Sequence, residues 1–244
     1  MRSAWDDPDA LFAGIKAGYN QVNHGHLDLG NFELDALGVR WVRDLGAENY
    51  NLPGYWDGKR GGRRWSYYRL NSASHNVPML GGKDQDPLAK SRFTKTDVNG
   101  ARPAVVVELT EAYQEFARSV SRGMAMIEDR RAVLVQDEFD IQTPCEVAWG
   151  MTTDAEIEVE KGEVAVLKLK GKELAARLQC SHQARFSVES AEQETPQKTN
   201  RGVRRLVVRL PQASGDIRIA VLLSPVWPDG KVVETVEIKP LADW

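Results

Sequence analysis

NHGHLDLGNFELDALGVRWVRDLG, residues 23–46, concentrates chemistry and fold in one short stretch. Two of the chain's four histidines, His24 and His26, flank Gly25, and Asp28 follows two places on. Behind them, NFELDAL and VRWVRDL alternate apolar and polar residues on either side of Gly38, the pattern of a hairpin that buries one face. A three-residue loop Ala36-Leu37-Gly38, with Gly38 left-handed and followed by a bulge, predicts Leu34 opposite Arg40, Phe32 opposite Val42 and Gly30 opposite Asp44. Side chains alternate along an extended strand, so His24, His26 and Asp28 share one face. In this register Asp44 joins them, and Gly30 leaves it room. A two-residue turn sends Asp44 to the other face instead, so the inference depends on the turn.

Two imidazoles and a carboxylate on one face suit Zn²⁺, which takes four ligands at roughly 2.0–2.2 Å. His75, in SASHN (72–76), is a further candidate ligand, and His182 is the fourth histidine. Spacing alone leaves a metal site and a hydrogen-bonded core pair both open.

Working outward, short β-branched and aromatic runs recur with Gly, Pro and Asn between them. LFAGIKAG (11–18), ARPAVVVEL (101–109), RAVLVQDEFDI (131–141), AEIEVE (155–160), EVAVLKLK (163–170), ARFSVES (184–190), RRLVVRLP (204–211), DIRIAVLL (216–223) and KVVETVEIK (231–239) all read as strands. The spacing predicts an all-β, antiparallel two-sheet sandwich over 1–174 and a smaller C-terminal β-unit over 175–244. Segment 190–202 is polar and breaker-rich, hence a loop. LTEAYQEFARSVSRGMAMIEDRR (109–131) has the propensity of a helix ending at Gly123.

With 244 residues the chain can bury a sizeable core. A net charge of −3 offers no global field for nucleic acid, and no apolar run nears the ~18–20 residues of a membrane span. The start, MRSAWDDPDALF, has no hydrophobic signal-peptide core. Two cysteines, Cys145 and Cys180, fit no zinc ribbon and read as small buried thiols.

GKRGGRRWSYYR (58–69) interleaves Lys59, Arg60, Arg63, Arg64 and Arg69 with Trp65, Tyr67 and Tyr68. Guanidinium forks suit carboxylate or sulfate and aromatic faces suit pyranose rings, so Tyr67, Tyr68 and Arg69 are candidate substrate contacts. A solvated basic loop is the plainer reading. GGKDQD (81–86) lacks the pattern of a phosphate loop.

WDDPDALFAGIKAG, the opening stretch, NYNLPGYW, RWSYYRLNSASHNVPMLGGKDQ and VELTEAY follow one another as in the β-domain of heparinase II/III-like polysaccharide lyases, which residues 5–85 resemble. The resemblance weakens through RRAVLVQDEF and carries no motif beyond about residue 145. It implies a structural zinc held by His26, Asp44 and His75, with His24 an active-site residue, Asn23 beside it and Asp28 orienting the loop. It implies β-elimination on an acidic, uronate-containing polysaccharide in the periplasm or outside the cell. It also turns 104–110 and about 118–127 into strands. Relatives carry an N-terminal (α/α) toroid across the catalytic cleft. None is found in these residues, so the resemblance predicts that the chain is inactive without that toroid, as a separate or missing partner. The rival expectation is a carbohydrate-binding or structural β-module without chemistry.

Overall fold

A computed structural model describes all residues, 1–244. It is an antiparallel β-protein with the expected two sheets. The smaller sheet has the order β1 (Phe12–Ile15), β2 (Phe32–Ala36), β3 (Val39–Val42). The larger has ten strands. Eight form a path: β5 (Arg92–Asp97), β6 (Ala104–Glu108), β7 (Ala117–Ile127), β8 (Ala132–Thr153), β13 (Arg204–Pro225), β11 (Lys172–Cys180), β10 (Val164–Leu169) and β9 (Glu156–Glu160). Off it, β4 (Met79–Leu80) pairs with β8 and β12 (Phe186–Ser190) with β13.

One core joins the two sheets. Phe32, Leu34, Val39 and Trp41 of the small sheet pack against Val133, Val135 and Trp149 of the large one, and both tryptophans are fully buried. Each buried aromatic of this size removes ~150–250 Å² from water, which makes such pairs dominant in the core. The Arg43 amide donates to Thr152 O at 3.0 Å, tying the end of the hairpin to β8.

The segment with helical propensity is strand. Thr110–Ala112 makes one 3₁₀ turn, and β7 then pairs with β6 on one side and β8 on the other. Two flanking ladders and complete burial of Val120 and Met126 outweigh a preference of a few tenths of a kcal/mol per residue.

The expected boundary near 174 falls inside β11, which pairs with β10 and with β13. β13 in turn runs beside β8 from Arg204↔Thr153 to Leu223↔Val133, so one sheet crosses that position. Residues 231–239, expected as a strand, join no ladder. Neighbouring strands are already paired on both edges, so this tail lies across the sheet face. It bonds through side chains: Val233 N to Ser224 Oγ at 2.8 Å, Gln136 Nε2 to Lys239 O at 2.8 Å, and Leu241 N to Glu138 Oε1 at 3.1 Å. Cys145 and Cys180 are free thiols, only the first of them buried. No helix is long and apolar enough to cross a membrane.

Candidate metal centre and the histidine beside it

The NHGHLD segment is a loop, not the extended strand that its alternation suggested. Gly25 N donates to Val22 O at 2.9 Å, closing a turn, and His24 takes a left-handed φ of 60°. The turn separates the two imidazoles. His24 is exposed, its ring 5.3 Å from Tyr50 and 5.2 Å from Trp56. His26 turns inward, its ring 5.2 Å from that of His75. Gly25 cannot be replaced cheaply, since a Cβ there would lie 2.4 Å from Asn20 O.

Arg64 holds the turn. Expected in a solvated basic loop, it is 4% exposed. Its Nη2 and Nε donate to Gly25 O at 2.9 and 3.3 Å, and Nη1 donates to Tyr55 O at 2.8 Å. The guanidinium also stacks 4.5 Å from the Tyr55 ring centre. One side chain therefore ties the backbone between the two histidines to the aromatic group against which His24 rests.

Asp44 reaches the site by a different register from the expected one. Leu37 (φ 58°) and Gly38 (φ 67°) form a two-residue turn with both centres left-handed, and the pairs are Ala36↔Val39, Asp35↔Arg40 and Leu34↔Val42. The predicted pairing of Leu34 with Arg40 does not occur. Such a turn alone would put Asp44 on the wrong face. The register shift between Asp35 and Leu34 bulges out Trp41, and that extra residue restores the face. Trp41 spends its indole N–H on Ala36 O at 3.0 Å and stays in the core.

Asp44 Oδ2 lies 2.7 Å from His75 Nδ1 and accepts from Asn31 Nδ2 at 3.1 Å, while Oδ1 accepts from Gly46 N at 2.6 Å. Burial alone would raise its carboxyl. The His75 contact and the Gly46 amide outweigh that and hold it well below the usual carboxylate range. Burial first, and the nearby His75 second, push His26 down to about 4, so it is neutral and its lone pair free at neutral pH. His75, after the 3₁₀ turn Ser72–Ser74, is completely buried, and its Nε2 has no hydrogen-bond partner.

One donor atom from each of His26, Asp44 and His75 lies within 4.8 Å of the other two. Two imidazoles, one of them with an orphaned buried ring nitrogen, and an ionised carboxylate form a donor set that fits a zinc-like cation. The carriers are braced from behind. Arg205 donates to His75 O from both Nη atoms at 3.1 Å. Asn76 N donates to Asn31 Oδ1 at 2.8 Å, while its side chain spans Phe32 O, Arg43 O and Thr152 N. Arg122, fully buried, pairs with Asp137 through two 2.7 Å bonds and donates to Gly30 O at 2.9 Å and to Asn76 O.

Three expected substrate contacts are spent inside the fold. Tyr67, 6% exposed, donates its hydroxyl to Pro53 O at 2.5 Å. The Tyr68 hydroxyl is buried without a partner, and burial raises its pKa. Arg69 grips Asn200 Oδ1 (2.8 and 2.6 Å) and Leu45 O (2.6 Å), pinning the distant 190–202 loop. Asn23 is exposed next to His24. Asp28 pairs with Lys16 and stays outside the donor cluster. The exposed residues around His24 are instead Tyr50 (47%) and Trp56 (61%), both in NYNLPGYW. Two large aromatics among turn residues were the sequence signal for them. The buried brace had no such signal, since Arg122 and Asp137 stand in strands that carry other charged and polar residues.

Comparisons with known proteins agree on one relationship. The heparinase II/III-like C-terminal family model matches residues 9–222. A heparinase III structure is 18% identical, covering 93% of this chain and 34% of that one, with a TM-score of 0.75. Heparan sulfate lyase HepC from Pedobacter heparinus is 16% identical over 92% of this chain and 34% of its own, with a TM-score of 0.74. A further heparinase III structure is 15% identical over 92% of this chain and 35% of that one, with a TM-score of 0.71. At these identities the likeness is one of fold, and the chain spans about a third of each solved protein. No curated protein matches the chain.

Proposed function

The chain belongs to the heparinase II/III-like C-terminal domain family, and from that premise we propose that it is the zinc-bearing β-domain of a lyase that cleaves uronate-containing polysaccharides by β-elimination. The observation that carries the reading is the divergence of His24 and His26 across Gly25. One imidazole faces solvent between Tyr50 and Trp56, and the other faces a buried donor cluster.

In such a reaction the C5 proton leaves to a base, the C5–H electrons form the C4–C5 double bond, and the C4 oxygen departs with a proton from an acid. In this reading His24 carries one of these protons. Asn23 hydrogen-bonds the uronate carboxylate in this reading, and the exposed Tyr50 and Trp56 stack on the ring. His26, Asp44 and His75 would hold zinc, whose role here is to fix the loops rather than to activate water. Arg64 keeps His24 aimed outward, and Arg205 and Asn76 keep His75 in place.

The reading assigns only part of the acid–base set to this chain, the rest to an (α/α) toroid partner, in the periplasm or outside the cell. Residues 1–244 alone are therefore expected to bind uronate oligosaccharides and form no unsaturated product. Isothermal titration with oligouronates, together with ultraviolet absorbance for unsaturated sugar, tests both parts. Binding lost in His24→Ala supports the site. Binding unaffected by His24→Ala favours a carbohydrate-binding module without chemistry, and a lyase rate from this chain removes the need for the toroid.

A further inference from the structure

Three arginines are buried in this fold, and two of them have a partner suited to a charge. Arg122 has the Asp137 carboxylate, and Arg64 lies over the rings of Tyr55 and Trp65. Arg205, on β13 and 6% exposed, has neither carboxylate nor ring. Its Nη1 donates to His75 O at 3.1 Å and to Thr152 Oγ1 at 2.8 Å, and its Nη2 donates to His75 O at 3.1 Å. Both acceptors are neutral. Nε–H and one N–H of Nη2 are left over, and a buried charge met only by neutral oxygens is costly.

The same guanidinium lines a cavity of about 110 Å³ bordered by β4, β8, β12 and β13. A second group in its wall is Tyr68, whose hydroxyl is buried without a partner. Gly150 leaves room for the guanidinium, since a Cβ there would lie 2.5 Å from Arg205 Nη2. Ala73, Val77, Met79 and Ala148 make much of the remaining wall apolar. Glu189 is the one carboxylate that lines the cavity, and Arg209 already forks onto it at 2.7 and 3.0 Å.

The volume exceeds the roughly 10–15 Å³ that one water needs. The groups left unassigned are N–H and O–H donors. A water accepts from them, but its own hydrogens then face methyl groups and the guanidinium charge stays uncompensated. A monatomic anion accepts from every donor and cancels that charge. Sulfate or phosphate would bring more oxygens than these donors meet, and more negative charge beside Glu189.

We propose that this cavity is a halide site, in which chloride is held by Nε–H and Nη2–H of Arg205 and by the Tyr68 hydroxyl. Its role is structural. The anion compensates Arg205 while that side chain grips the His75 carbonyl, and so secures the His75 loop to β13. The proposal does not rest on the polysaccharide reading.

A crystal grown in sodium bromide is expected to show, by anomalous scattering, a bromide within hydrogen-bond distance of Arg205 and Tyr68. In solution the chain should saturably broaden the chloride NMR resonance, and bromide should reverse this by competition. Tyr68→Phe removes a hydroxyl that has no protein partner, so it should fold, and it should weaken chloride about tenfold, the scale of one charged hydrogen bond at about 1.4 kcal/mol. Glu189→Gln removes a negative neighbour at a partly exposed position and should strengthen it. His26→Ala should leave it unchanged, which separates this site from a chloride on the metal. No anomalous peak at Arg205 overturns the proposal, because water alone then fills the cavity. Broadening that is unchanged in both Tyr68→Phe and Glu189→Gln, or lost in His26→Ala, places the anion elsewhere and overturns it too.

Discussion

His75 Nδ1 stands 2.7 Å from Asp44 Oδ2, while the other ring nitrogen of His75 is buried without a partner. Burying an unsatisfied polar atom costs on the order of 1–3 kcal/mol, so the arrangement is poorly explained as a plain hydrogen-bonded core. The chain, dialysed against zinc and then against buffer, is expected to retain one equivalent by atomic absorption. His75→Ala and Asp44→Ala should retain none. Chelation should lower the parent's thermal midpoint, since a ligand at a hundred times its dissociation constant stabilises by about 2.7 kcal/mol. A metal-free parent whose midpoint ignores zinc would show that these residues form a polar pair only.

Arg64 bonds two carbonyls with one fork. Arg64→Ala is expected to cost about 3 kcal/mol in urea unfolding, because charged hydrogen bonds contribute roughly 1.5–3 kcal/mol each. Arg64→Lys should recover little of it, as an ammonium cannot reproduce a planar fork. The sharper readout is the His24 ring resonance in NMR. It should lose the shift caused by Tyr50 and Trp56 in both variants, and its persistence would show that Arg64 does not position the turn.

The Arg122–Asp137 pair is wholly buried. Asp137→Ala leaves an uncompensated guanidinium inside and should destabilise by about 3–5 kcal/mol. Arg122→Met with Asp137→Leu should cost less, because no charge is stranded. The double variant still loses the bonds to Gly30 O and Asn76 O, so zinc affinity should fall even where stability recovers. Equal zinc affinity in the double variant and the parent would remove the bracing role.

Gly123 is the point where the C-terminal tail touches β7. A Cβ there would lie 2.3 Å from Leu241 Cδ2 and 2.7 Å from Trp244 Cζ3. Gly123→Ala is expected to lift the tail while the sheets stay folded, at a cost of about 1–3 kcal/mol typical of overpacking. Limited proteolysis should then cut within residues 226–244 much faster than in the parent. An unchanged cleavage rate would mean that the tail shifts rather than detaches.

The sequence determined the fold class, because alternation of period two in segment after segment cannot be satisfied by anything but sheet. The family resemblance in the sequence also named the residues that converge: His26, Asp44 and His75 do come together. Their route was not legible. The hairpin has a shorter turn than predicted, and only the bulge at Trp41 returns Asp44 to the site. Turn type and bulge depend on how Trp41 and Val42 both find space in a core that β8 supplies from far along the chain. The roles of the arginines were decided in the same way. Arg60 and Arg64 are separated by only a few residues of one basic run, yet one is exposed in a surface ion pair and the other buried under Gly25. A local pattern records that a guanidinium is present. Only tertiary packing decides whether water, a carboxylate or a backbone carbonyl will meet it, because those partners come from elsewhere in the sequence.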